Sequence, residues 1–398
     1  MNHRFGPQAP AFSTININET IERALASAGL QTKSGPMLDV TETIRRALAS
    51  AGIESAPAPQ GVDASVIDVV ARVVNTTPDE GTATRRAPVT NEAPAPGEFV
   101  TREFSNRAGK RAYKLYVPTR IPDTPVPMIV MLHGCTQSPD DFAAGTQMNR
   151  LAEEHGFLVV YPEQAANANA SKCWNWFNAQ DQMRDSGEPS LIAGITREVA
   201  LHHLVDPRRI FVAGLSAGAA MAVVMGETYP DLYAAIGAHS GLPYRAAHDI
   251  PSALAAMKAS PRSMGGQANL PGTASAPRTK ISHAVPVIVF HGDRDHTVRQ
   301  TNGAEIIQQA CNAHAATSGE SALRVSIHEG KTPRGRAFSR TVHADAAGHP
   351  RIESWVLHGA GHAWSGGHAS GSYTDGAGPD ASAEMIRFFL GQPRSGSA

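Results

Sequence analysis

Cysteine is scarce in this chain of 398 residues, which holds three in all, too few for a disulfide scaffold. Long apolar runs are missing as well, and none approaches the ~18 residues of a spanning helix. There is no excess of charge: 35 Lys and Arg stand against 36 Asp and Glu, with a net charge of -1. That balance, without basic clusters, argues against nucleic acid or an anionic membrane surface as the main partner. The opening segment, MNHRFGPQAPAFSTININET, lacks the apolar core of a signal peptide. On this reading the chain is expected in the cytoplasm. What remains is the composition of a soluble globular protein, 41% hydrophobic and 18% charged, with room for one large or two ordinary domains of ~100 to 200 residues each.

The first 98 residues differ from the rest. Residues 17–30, INETIERALASAGL, are repeated at 40–53 as VTETIRRALASAGI. Ile17, Ile21, Ala24, Leu25 and Ala28 recur at helical spacing, as do Val40, Ile44, Ala47, Leu48 and Ala51, so each copy predicts a short helix with one apolar stripe, over about 15–30 and 39–53. Asn16 with Glu19 and Asp39 with Glu42 have capping-box spacing, and Gly29 and Gly52 suit the C-terminal stops. Helices this short need another surface, either each other and the main domain or an external apolar partner. A Pro/Ala-rich linker follows, interrupted by VIDVVARVV at 66–74. The main domain is expected over 99–392, with a disordered tail at 393–398.

From there β-rich runs alternate with helical patterns. Strands are expected at 112–117, 127–132, 157–161, 210–213, 235–239, 285–290 and 352–357, with helices at 141–155, 190–203 and 381–390. The alternation predicts an α/β protein with a mostly parallel sheet covered by helices on both faces. Ligands of such sheets bind beyond the carboxyl ends of the strands.

In that setting Gly214-Leu215-Ser216-Ala217-Gly218, between an Ile-Phe-Val strand and an Ala/Met/Val-rich helix, reads as a nucleophile elbow. The turn is too tight for side chains at its flanks and lifts the Ser216 hydroxyl over the sheet edge. An acid and a histidine should follow in that order, as in an α/β-hydrolase fold. The loop 291–298, HGDRDHTV, offers Asp293 and Asp295; the deeper position favours Asp295. The loop 358–364, HGAGHAW, offers His358 and His362; the Gly-rich approach favours His362. An oxyanion hole requires two preorganised amides. Ala217, directly after the serine, is one candidate, and Cys135, in the loop LHGCTQ after an early strand, is the other.

Taken as a set, HGCTQ at 133–137, CWNWF at 173–177, VDPR at 205–208 leading into GLSAGAAM, and GHAWSGG at 361–367 resemble the poly(3-hydroxybutyrate) depolymerase esterase family. The likeness covers 99–390 and is nearer the intracellular type, built on the catalytic domain of extracellular type I depolymerases. It implies a Ser216, Asp295 and His362 triad, an oxyanion hole at Cys135 and Ala217, and Trp174, Trp176 and Trp364 as surfaces for an aliphatic polyester. An aromatic core cluster is the other reading of Trp174 and Trp176. Cys135 and Cys173 fall in motifs that could lie close enough to pair, although a reducing cytoplasm argues against a lasting disulfide.

The resemblance implies hydrolysis of poly(3-hydroxybutyrate) to oligomers and monomer through an acyl-enzyme, with no metal and no organic cofactor. The expected partner is the polyester itself, as intracellular granules on which the N-terminal repeats would dock. Feruloyl and acetyl-xylan esterases share the motifs and form the alternative, and a granule-associated protein without catalysis is an alternative of another class. Residues 243–284 are expected to cover the cleft.

Overall fold

The computed structural model describes residues 97–258, 284–317 and 323–392. The N-terminal repeats, the linker, the tail and most of the expected cover at 243–284 lie outside the described residues.

The strands are β1 (Glu98–Asn106), β2 (Gly109–Val117), β3 (Val126–Leu132), β4 (Leu158–Pro162), β5 (Val205–Leu215), β6 (Ala235–His239), β7 (Val287–Gly292), β8 (Arg324–Lys331), β9 (Ala337–Ala344), β10 (Pro350–Leu357), β11 (Trp364–Ser365) and β12 (Thr374–Asp375). The helices are α1 (Pro139–Thr146), α2 (Met148–His155), α3 (Gly187–His202), α4 (Ala217–Thr228), α5 (Ile250–Lys258), α6 (Thr301–Thr317) and α7 (Ala381–Leu390). Ten strands form one sheet in the order β1-β2-β4-β3-β5-β6-β7-β10-β9-β8. From β4 to β10 neighbours run parallel, while the hairpins β1-β2 and β8-β9 extend the two edges antiparallel.

The apolar runs explain the middle of this sheet. Every residue of β3, β4, β6 and β7 is buried, as strands covered on both faces must be. Side chains of β3 alternate between two cores. Met128, Val130 and Leu132 join one cluster with α3 and α4. Ile129 and Met131 join the other with α1, α2 and α7. Register keeps the carboxyl ends together: Leu132 pairs with Gly214, Leu215 with His239, and Leu357 with Gly292. Four candidate loops therefore leave the same edge of the sheet.

Two expectations need correction. The helix expected over 141–155 is two helices, broken at Gln147, whose φ of 56° caps α1 and opens α2. Strands β1, β8 and β9 were not expected. In β1 and β8 most residues face solvent, so neither carries the alternation that marks a half-buried strand.

Candidate active site

Ser216 stands between the end of β5 and the start of α4 with φ 56° and ψ -119°, a conformation costly for a residue with a side chain and one that clusters at active sites. The flanking glycines make the turn possible. A Cβ on Gly218 would fall 2.1 Å from the Leu132 carbonyl oxygen, and one on Gly214 would fall 2.4 Å from the Gly218 carbonyl carbon. The Ser216 amide donates to His239 O at 2.9 Å.

The loops after β7 and β10 bring the expected acid and base together. His362 Nδ1 donates to Asp295 Oδ2 at 2.7 Å. A carboxylate only accepts, so the proton sits on Nδ1 and Nε2 is left as the acceptor. The Asp295 side chain is wholly buried and that of His362 is 12% exposed. Asp295 Oδ1 accepts from the Thr297 and Val298 amides at 2.9 and 2.8 Å. Burial alone would raise the Asp295 carboxyl, but the hydrogen bond and charge of His362 and the Val298 amide outweigh it and hold it below the ordinary value. His291, 3.6 Å from Asp295, donates through Nε2 to Val298 O at 2.8 Å and so braces the acid loop. Burial keeps His291 below its ordinary pKa.

The loop after β3 is pinned atom by atom. Gln137 Oε1 accepts from Gly134 N at 2.9 Å, and Thr136 N donates to Ser171 O at 2.7 Å. Gln137 Nε2 donates to Asp141 Oδ2 at 2.8 Å and to Ser372 O at 3.2 Å. The amides on either side of Cys135 are thus occupied, while its own takes no part in these bonds. Ala217 is the first residue of α4, where amides lack partners within the helix. His133 accepts from Gln164 N through Nε2 at 3.0 Å, and its Nδ1 donates to Gly134 O at 2.7 Å. Burial depresses it to about 4, so it stays neutral.

Cys135 is bonded to Cys173. The pairing that family likeness left open is therefore present, contrary to the two free thiols implied by a reducing compartment. Sequence reasoning missed what anchors the other half. Glu188, buried at the start of α3, accepts from Asn175 N at 2.7 Å and Asn175 Nδ2 at 2.8 Å, and pairs with Arg111 at 3.3 Å. Desolvation, then the charge of Asp181, raises the Glu188 carboxyl. No local motif marks this residue; only the fold brings positions 111, 175 and 188 together.

The core reading holds for Trp174 and Trp176, and Trp364, expected as a substrate surface, is buried as well. Trp174, Trp176 and Trp364 are 0%, 6% and 1% exposed, so they offer no surface to a polymer. Such large rings gain most from complete burial when the indole N–H finds a partner. Trp174 Nε1 donates to His133 O at 3.2 Å beneath the Cys135 loop. Trp364 Nε1 donates to Ser382 Oγ at 3.0 Å, and its ring stacks on His239 at 5.2 Å. The open aromatic is Tyr373, 44% exposed, with its hydroxyl 3.3 Å from Thr136 Oγ1. Among the described residues no group of His, Cys, Asp or Glu could hold a metal ion, and no helix is long and apolar enough to cross a membrane.

The chain is similar to several esterases. Poly(3-hydroxyalkanoate) depolymerase C of Paucimonas lemoignei is 33% identical over 65% of this chain and 60% of its own length. A poly(3-hydroxybutyrate) depolymerase of Ralstonia pickettii is 28% identical over 63% of this chain and 51% of that one. The chain thus spans just over half the length of these depolymerases. Acetylxylan esterase A of Aspergillus oryzae is 29% identical over 67% of this chain and 83% of that one. Among solved structures, acetyl xylan esterase from Aspergillus awamori superposes with a TM-score of 0.53 at 19% identity, covering 73% of this chain and 99% of that one, a likeness of α/β-hydrolase fold. Residues 111–326, more than half of the chain, match the Esterase PHB depolymerase family, to which this protein belongs.

Proposed function

We propose that the chain is a serine esterase that hydrolyses poly(3-hydroxybutyrate) to oligomers and 3-hydroxybutyrate. Ser216 Oγ attacks the ester carbonyl, and its proton passes to His362 Nε2. Asp295 holds the imidazole and steadies the imidazolium that forms. The Ala217 and Cys135 amides receive the oxyanion. The imidazolium protonates the departing alcohol, and water activated by the same histidine releases the acid.

The observation that carries this reading is the 2.7 Å bond from His362 to a fully buried Asp295 on the edge where the strained Ser216 turn emerges. The family and the depolymerase relatives support a polyester substrate, with Tyr373 rather than the tryptophans beside the acyl group. The N-terminal repeats, through Ile21, Leu25, Ile44 and Leu48, would dock the enzyme on polyester granules.

A second reading, an esterase of acetylated xylan or feruloyl groups, draws on acetylxylan esterase A of Aspergillus oryzae, which aligns over 83% of its length. A granule protein without catalysis fits poorly with an assembled acid–histidine pair. Incubating the purified chain with amorphous poly(3-hydroxybutyrate) granules, acetylated xylan and feruloyl esters tests the choice. Soluble hydroxybutyrate oligomers from granules alone are expected; acetate or ferulate without oligomers would replace the first reading by the second.

A further inference from the structure

The two side chains passed over in the sequence form a site of their own. Asp293 and His358 face each other across the same two loops as Asp295 and His362, with His358 Nδ1 donating to Asp293 Oδ2 at 3.0 Å. Asp293 Oδ1 accepts from Gly359 N at 2.6 Å. The far nitrogen is also engaged: Ser339 Oγ lies 2.8 Å from His358 Nε2. Since Nδ1 carries the proton towards the carboxylate, Nε2 accepts and the hydroxyl donates. A hydroxyl on a base that a third group orients is the general signature of an activated nucleophile. This relay is open to solvent, with His358 and Asp293 side chains 43% and 39% exposed.

We propose that Ser339 is a second nucleophile, which takes the acyl group of small activated esters through His358 and Asp293. Its place in the fold sets the substrate class. Ser339 stands in mid-strand on β9, paired with Val356 of β10 and Glu329 of β8, so the surrounding amides are committed to ladders instead of gathered at a helix start. Without an elbow-type oxyanion hole the reaction depends on the leaving group. Aryl esters are therefore expected to react and alkyl polyesters are not.

In the step itself Ser339 Oγ bonds to the carbonyl carbon while its proton moves to His358 Nε2. The bond to the aryl oxygen breaks and the phenolate leaves with the electron pair. The imidazolium then returns its proton to solvent, and the acyl group remains on Ser339 until water removes it.

The test uses the full chain carrying Ser216→Ala, treated with p-nitrophenyl acetate and followed by intact mass and peptide mapping. One acetyl group on Ser339 is expected. It should be absent in S216A/S339A and form roughly 100-fold more slowly in S216A/H358Q, the scale of general-base assistance. S216A/D293N, which keeps the shape of the loop, should be intermediate. Alone, Ser339→Ala should leave the main ester hydrolysis unchanged. Failure of Ser339 to acquire acetyl, or acetylation at the same rate in S216A/H358Q, would overturn the proposal and leave the relay as a tie between loops. Because the readout is the adduct at Ser339, the outcome is independent of the role given to Ser216.

Discussion

Two aspartate–histidine pairs link the loops after β7 and β10, and their surroundings separate them more than their chemistry does. Asp295 and His362 are buried, with two backbone amides on the carboxylate. Asp293 and His358 are exposed and end on a strand serine. The inner pair leaves the same sheet edge as the Ser216 turn and the first amide of α4, which under the proposed function supply what acyl transfer needs; the outer pair has only the hydroxyl. Position relative to a strained turn, not the presence of Ser, His and Asp, distinguishes the two.

The largest expected effect would break that comparison outright. Ser216→Ala, His362→Ala and Asp295→Asn should each lower kcat/KM for a soluble short-chain ester by roughly 10⁴-fold or more. Asp293→Asn should stay within about threefold, because its carboxylate touches no group of the inner pair. Equal losses from Asp293→Asn and Asp295→Asn in the same assay would show that the choice between pairs is mistaken.

Acid exposes the buried side next. His133 is depressed to about 4 and His239 to about 3, each chiefly by burial. An unfolded histidine titrates near 6.5, so between about 6.5 and 4 the unfolded chain binds more protons and stability falls as pH falls. The contribution is complete above about 6.5 and is lost as pH falls, for His133 by about 4 and for His239 only by about 3. Two such sites give a slope of up to about 2.7 kcal/mol per pH unit, measurable by urea unfolding from pH 7.5 to 4.5. A flat curve over this range would contradict the buried, neutral state of both residues.

The disulfide sharpens the picture at the oxyanion loop. Cys135 and Cys173 are separated by 38 residues in sequence, and a closed loop of that order stabilises by about 2–4 kcal/mol. Replacing both by serine should lower the unfolding free energy on that scale. It should also reduce kcat about tenfold through a less fixed Cys135 amide, with KM less affected. Unchanged kcat in a folded variant would remove the Cys135 amide from the reaction.

Much of this was legible in the sequence. The central strands announce themselves as apolar runs because both faces are covered, and the Ser216 elbow because only glycines fit at 214 and 218. Depth in its loop singled out the aspartate that lies buried, Asp295, from the exposed Asp293. Other features were not local. Glu188 acts through residues far away in sequence, and β8 leaves its Val325 and Ile327 in solvent while β9 buries only Val342. The sequence left Trp174 and Trp176 open between core and cleft and put Trp364 at the surface, because a motif aromatic at a cleft can support the cleft from behind as readily as line it. Trp174 and Trp364 do so, the first under His133 and the second against His239.

The smallest expected effect completes the contrast between the pairs. Asp295→Ala would strip the partner from the buried Val298 amide, at about 1–3 kcal/mol for a buried donor left unpaired, and from the Thr297 amide nearer solvent. Asp293→Ala leaves His358 and the Gly359 amide where water can replace the carboxylate. The hydrogen bond there is open to solvent and worth at most about 1 kcal/mol. The hydrogen bonds Asp293 N to Leu357 O and Arg294 N to Ala360 O, at 3.1 and 3.0 Å, use main-chain atoms and survive the change. Urea unfolding of the two variants at pH 7.5 should therefore show a clear loss for Asp295→Ala and almost none for Asp293→Ala. A loss at Asp293 as large as at Asp295 would mean that the outer pair, and not the ladder of amides beneath it, holds the two loops together.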